Sequence, residues 1–296
     1  MKLNKTEAMD VILHVVFILA VIISLYPILL VLGVSLSSEK SIVEYGYKMI
    51  PKQISSDAYK YIWQSKNTIL RAYGVTIFTT VFGTVCSVMA VALYAYPLSR
   101  KDFKYRKFFS FLALFTMLFH AGMVPWYIVC TQVLHIQNTI WAMILPYIMN
   151  AWYVLIMRTF FITAIPAALI ESAKLEGAGE GIIFAKIVMP LSLPGLATIG
   201  LFAVLQYWND WWLPLMLTTR RELSNLQFLL QSMISNIEML TQNSEYVSSS
   251  ISQLANMPKE GARMALCVIS IGPLVLAYPF FQKYFVSGLT VGAVKE

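Results

Sequence analysis

The chain has 296 residues, of which 58% are hydrophobic and only 12% charged. A soluble globular domain carries about 25% charged residues, so the balance excludes an ordinary soluble fold and favours a lipid-facing one. The formal charge of +7 does not call for a nucleic-acid partner, because many of the basic residues sit in short connectors between apolar blocks, where they set membrane topology.

Crossing about 30 Å of hydrocarbon takes roughly 20 helical residues. Six blocks meet that length with few charges, at about 11–34, 71–98, 108–130, 139–161, 191–217 and 264–285. The first is too long for a signal-peptide core and lacks a small-residue cleavage site, so it is expected to stay as an anchor. The connector after the second block holds Arg100, Lys101, Lys104, Arg106 and Lys107, whereas 131–138 holds no Lys or Arg. The first connector is therefore expected in the cytoplasm and the second outside. Six spans then put both termini and 166–189 inside, and the longer stretches 35–70 and 218–263 outside. The expectation is an all-α polytopic membrane protein, with residues 1–296 forming a single transmembrane domain. Within the second external stretch, 225–237 carries Leu226, Leu229, Leu230 and Met233 at helical spacing and is expected to lie as a helix along the membrane surface. The run Ser248, Ser249, Ser250 reads as a solvated loop.

Chemistry is most legible in the cytoplasmic segment 165–190. Pro166 suits a first helical turn, Ala167 to Glu176 favour helix, and Gly177 supplies a C-terminal residue able to take positive φ. A second helix is expected to start near Gly179 to Gly181 and to end before Pro190, with Ile183, Phe184 and Ile187 as its apolar stripe. Such a pair can cap the bundle at the lipid interface, or it can push a compact knob into a cleft on another protein.

The stretch Glu171-Ser-Ala-x-x-Glu-Gly-Ala178, followed by Phe184, Ile187, Pro190 and Pro194, resembles the EAA loop of permease subunits in ATP-binding cassette importers. Ser172 stands where Ala is usual and Glu176 where Asp is usual. Trp208-Asn-Asp-Trp-Trp-Leu-Pro214 and Gly288-Leu-Thr-Val-Gly-Ala-Val-Lys295 are similar to their counterparts in the carbohydrate branch, the MalG-like subunits, and within it to the LplC and YtcP type of oligosaccharide permease. The resemblance implies the type I importer permease fold, with Glu171, Ser172, Ala173, Glu176, Gly177, Ala178, Phe184 and Pro190 coupling to an ATPase. It also implies a multi-pass protein of a bacterial cytoplasmic membrane, in contact with membrane lipid. The implied partners are a MalF-like second permease, two ATPase subunits that carry ATP and Mg, and an extracytoplasmic solute-binding protein. No cofactor is expected on this chain, which lacks a GxxxxGK[ST] phosphate loop and is not expected to be an enzyme.

Asp210 is the most notable ionisable residue in an expected span, since a carboxylate there is costly and faces a bundle interior or a wet cavity. Asn209 and Asp210 either contact the pathway or shape an external gate, or Asp210 has an ordinary interfacial or capping role. On the first reading Asp210→Ala impairs uptake while leaving assembly intact. Trp208 and Trp211, beside them, have the aromatic character of sugar-binding surfaces, but with Trp212 they cannot all face one side of a helix and are equally accounted for as interfacial belt residues. Asn150 can hydrogen-bond another helix, and it joins Asn209, Asp210, Trp208 and Trp211 as a candidate for the pathway or its external gate. Cys86, Cys130 and Cys267 stand singly and read as buried packing residues; His14, His120 and His135 are isolated, and no metal site is expected. The alternative to an ATP-driven permease is an ion-coupled secondary transporter, which would favour repeated halves and mid-membrane charges; no repeat is visible and mid-span carboxylates are scarce.

Overall fold

The computed structural model describes residues 5–242 and 258–293, which are mostly helical. The serine run at 248–250 and the C-terminal motif from 294 onward lie outside the described residues. The chain divides into two compact units, Met1–Thr68 with Leu230–Pro273, and Ile69–Leu229 with Leu274–Glu296.

In the first unit, α1 (Lys5–Ser35) is long, apolar and exposed over nearly its whole length. The stretch 35–70 holds two short helices, α2 (Glu39–Tyr45) and α3 (Asp57–Gln64). Ser38 begins α2, its Oγ accepting from the Ser41 N–H. The Glu39 carboxylate accepts from the N–H groups of Glu260 and Gly261 at 3.2 and 3.3 Å, and Tyr47 Oη donates to Glu260 at 2.8 Å. An acidic group is thereby set against the start of the last helix, α14 (Lys259–Ala293), where free N–H groups and the helix dipole favour it.

The second unit is built on α4 (Lys66–Ser99), whose small inward residues let other elements approach closely. Gly83 is the clearest case: a Cβ there would lie 2.6 Å from the ring of Tyr207. That ring belongs to α11 (Leu193–Trp208), and its hydroxyl donates to the Ile144 carbonyl at 2.9 Å.

Three of the expected spans are broken. The block 108–130 is α5 (Arg106–Leu118), then α6 (Met123–Ile128) with a π turn to Val133, bent by 116° about Gly122 at φ +87°. The block 139–161 is a 3₁₀ stretch, Ile140–Tyr147, and then α7 (Ala151–Ala164), bent by 50°. Helix α11 is turned by 79° from the helical run Glu180–Leu191 before it, and stops at Trp208; α12 (Trp212–Leu217) is a separate turn of helix. Two helices are thus long and apolar enough to cross a membrane unbroken, or up to five among the described residues if each bent pair is one span. The expected block 264–285 falls within the 35 residues of α14. Cys130 is buried as expected, but Cys86 and Cys267 are only half-buried, a placement that costs nothing where lipid or another apolar surface takes the place of a protein core.

Candidate functional site

The segment after α7 folds as two helices around a glycine turn. Helix α8 (Ala167–Leu175) ends with the N–H of Ala178 donating to the Ala173 carbonyl at 2.9 Å and that of Gly177 to the Lys174 carbonyl at 3.0 Å. This is the Schellman closure, and it requires a left-handed residue at Gly177, where φ is +82°. Helix α9 (Glu180–Ile183) continues through a π turn, Phe184–Val188, into α10 (Met189–Leu191). The second helix therefore does not end before Pro190. The π turn just ahead of Pro190 shifts the hydrogen-bond register, so the helix can hold a residue with no N–H to donate, and the chain breaks instead at Ser192.

The pair is seated on the bundle by one apolar cluster. Ile170 and Ala173 of α8, with Ile183 and Val188 of the second helix, are buried among Val91, Ala95 and Leu98 of α4 and Met157 and Phe161 of α7. Ala178, Phe184 and Ile187 pack against the same cluster. The eight residues of the motif thus divide by role. Ala173 is buried and Ala178 and Phe184 half-buried, so these three hold the loop to the long helices. Glu171, Ser172, Glu176, Gly177 and Pro190 are exposed. Leu175 stands beside the turn and is 90% exposed; in the sequence it gives no signal, because a leucine on a short helix reads as core.

A polar clasp completes the seat. Lys174 Nζ lies 2.8 Å from Asp102 Oδ2 and 2.6 Å from Glu180 Oε1, and Tyr96 Oη donates to Glu180 Oε2 at 2.6 Å. Among the described residues, Lys174 pairs with these two carboxylates and not with Glu171. The hydrogen bond from Lys174 holds Asp102 below the usual carboxylate range, and the same bond, with that to Glu180, holds the Lys174 ammonium above the usual lysine range. A lowered Asp102 stabilises the clasp above its unfolded pKa, and the benefit is lost as pH falls through its folded value. A raised Lys174 stabilises it below its unfolded pKa, and the benefit is lost as pH rises through its folded value. The clasp therefore holds across neutral pH. Because it is solvent-exposed, Lys174→Met is expected to leave membrane abundance unchanged. It is also expected to free the 100–104 connector from α8, read as faster proteolysis at Lys101 and Lys104; an unchanged digestion pattern would show that the apolar cluster alone fixes the loop.

The second candidate cluster lies at the break after α11. Asp210 is 6% exposed, and its Oδ1 accepts from Tyr147 Oη at 3.2 Å and from the N–H groups of Trp212 and Leu213 at 3.1 and 3.2 Å. The carboxylate thus caps α12. Asn225 Nδ2 donates to the Asp210 carbonyl, while Asn225 Oδ1 accepts from Phe228 N at 2.9 Å and caps α13 (Leu226–Gln242). Tyr147 and Asn225 gave no signal in the sequence, since neither is near Asp210 along the chain. Asn209 is exposed, its Nδ2 donating to the Leu205 carbonyl; Trp211 is 43% exposed and Trp208 is buried. The sequence places the three tryptophans on one helix, but the break at 209–211 separates Trp208 from Trp211 and Trp212. Asn150 caps α7, its Oδ1 accepting from Trp152 N at 2.9 Å, in place of the expected bond to another helix.

Comparison with known proteins decides what this architecture belongs to. Residues 89–291 match the binding-protein-dependent transport system inner membrane component family. The chain belongs to that family. Its relatives include the polygalacturonan/rhamnogalacturonan transport system permease protein YtcP of Bacillus subtilis (strain 168), 34% identical over 98% of this chain and 99% of the relative. Protein LplC of the same organism is 34% identical over 92% of this chain and 90% of its own length. A crystal structure of a bacterial ABC transporter that imports the acidic polysaccharide alginate has a chain with the same fold, at TM-score 0.80 and 30% identity over 95% of this chain and 98% of that one. This inner membrane component has the type I permease fold of ATP-binding cassette importers and works with separate ATPase and substrate-binding partners.

Proposed function

We propose that the chain is the translocation subunit of a bacterial importer for oligosaccharides released from polysaccharides, driven by ATP hydrolysis on two partner subunits. The observation that carries this reading is the loop 165–191. Its exposed residues Glu171, Ser172, Glu176 and Gly177 surround a rigid turn, while its buried residues are locked to α4 and α7. A push on such a knob is transmitted to the long helices, because a close-packed cluster moves as a body. The carbohydrate substrate is supported by the names of the relatives, which cover nearly the full chain.

In this reading the loop enters a cleft of an ATPase whose site binds ATP and Mg, a second MalF-like permease completes the pathway, and both termini are cytoplasmic. Asn209 and Trp211, exposed at the helix break, face the pathway or its external gate, while Asp210, Trp208 and Asn150 hold the backbone behind them. Deleting the chain is expected to abolish uptake of at least one oligosaccharide in a panel from pectin, alginate, arabinan and galactan. Unimpaired uptake of all of them would defeat the substrate assignment. The purified chain is expected neither to bind nor to hydrolyse ATP, since it has no phosphate loop. Hydrolysis by a preparation free of other subunits would overturn the division of labour.

A further inference from the structure

The connector between α4 and α5, the start of α5 and Arg158 of α7 line an open cavity of about 620 Å³. Lys101, Lys104, Arg106, Lys107 and Arg158 all line it. Asp102 also borders the cavity, but its carboxylate is engaged by Arg100 and Lys174. Among the described residues, none of the five cations lies within ion-pair distance of a carboxylate. Arg158 is half-buried, and its Nε donates to the Leu98 carbonyl at 3.1 Å, which fixes the guanidinium at the cavity wall.

Two further features at the same place lack the same thing. Helix α5, 13 residues long, starts here with no side-chain cap and no acidic residue in its first turn, where Arg106 and Lys107 stand instead. Cations at a helix N-terminus add to the positive end of the dipole, an arrangement that an anion relieves. Ser110, one turn on, also lines the cavity, and its buried Oγ has no hydrogen-bond partner. An oxyanion in the cavity would answer the cations and the uncapped first turn together, and a rotation of the Ser110 side chain would bring its hydroxyl to it.

The surroundings indicate the anion's source. Leaving the cavity, α5 exposes Phe108, Phe111, Leu112 and Phe115, which recur at i, i+3, i+4 and i+7 and so form one stripe. A stripe of that kind runs alongside acyl chains, and a basic pocket at its polar end on the cytoplasmic side suits a lipid headgroup. We propose that this cavity binds the phosphate group of an anionic phospholipid, with its acyl chains along α5. This role is separate from ATPase coupling, since none of the cavity's cations belongs to the exposed surface of the loop 165–191.

The test uses the full co-expressed importer in nanodiscs of phosphatidylcholine with or without phosphatidylglycerol, followed by native mass spectrometry of the retained lipid. The parent complex is expected to retain phosphatidylglycerol selectively, and the triple variant R106Q/K107Q/R158Q to lose that retention by on the order of tenfold or more. Inorganic phosphate is expected not to displace the lipid; displacement would assign the cavity to a free anion and overturn the lipid assignment. Equal retention by parent and variant would overturn it too, as would loss of the ATPase subunit with lipid unchanged, which would make the patch a protein-docking surface. Should the variant fail to assemble, photoactivatable phosphatidylglycerol on the parent complex decides: label is expected on residues 101–115, and its absence there refutes the site.

Discussion

Gly177→Val is expected to reach the membrane at normal abundance and to abolish transport. Gly177 sits at φ +82°, and a Cβ built on it meets nothing within 4 Å of this chain. The intrachain cost is therefore backbone strain alone, of order 1 to 3 kcal/mol for a non-glycine residue held in that region and toward the upper end for a β-branched one. The Schellman closure would relax, moving Leu175 and Glu176, while the buried cluster under the loop, which contains no part of Gly177, keeps the helices inserted. Gly177→Asn separates strain from bulk, because asparagine tolerates the left-handed region. It is expected to keep the turn and more transport than Val. The readouts are uptake, ATPase retention on purification, and the response of hydrolysis to loaded binding protein. A Gly177→Val complex that assembles, hydrolyses and transports like the parent would sink the coupling role of the loop.

The second large effect is expected at Asp210, in a different form from the one its sequence context suggested. A pathway carboxylate can be truncated without loss of assembly, but Oδ1 of Asp210 serves Tyr147 and two backbone N–H groups at once. Asp210→Ala strands these donors, and even one buried donor left unsatisfied costs about 1–3 kcal/mol, so abundance should fall together with transport. Asp210→Asn keeps an acceptor at Oδ1 and removes the charge. It is expected to restore abundance and most of the uptake. Normal abundance of the Asn variant with uptake still lost would return the charge itself to the pathway.

Much of this protein was legible along the chain because its decisive patterns are local. Apolar blocks of spanning length follow from the thickness of a bilayer. The turn at Gly177 follows from what one residue without a Cβ can do, and the fixed spacing from Glu171 to Pro194 identified the loop before any fold was known. Positive φ at Gly177 and the apolar stripe Ile183, Phe184, Ile187 are both found as read.

The tertiary structure decided what depends on residues distant in sequence. It broke three blocks that hydropathy reads as continuous, because hydropathy averages over Gly122, the turn at 148–150 and the turn at Asn209 and does not register a change of direction. It carried the second helix of the loop 165–191 through Pro190, since a π turn alters which carbonyls need a donor. It gave Lys174 to Asp102, 72 residues earlier, and Asp210 to a tyrosine 63 residues away. A side chain's neighbours along a helix are set by its period, but its partners across the bundle are set by how the helices pack. Ionic and hydrogen-bonding groups, which need specific partners, are for that reason the ones whose roles the sequence alone left open.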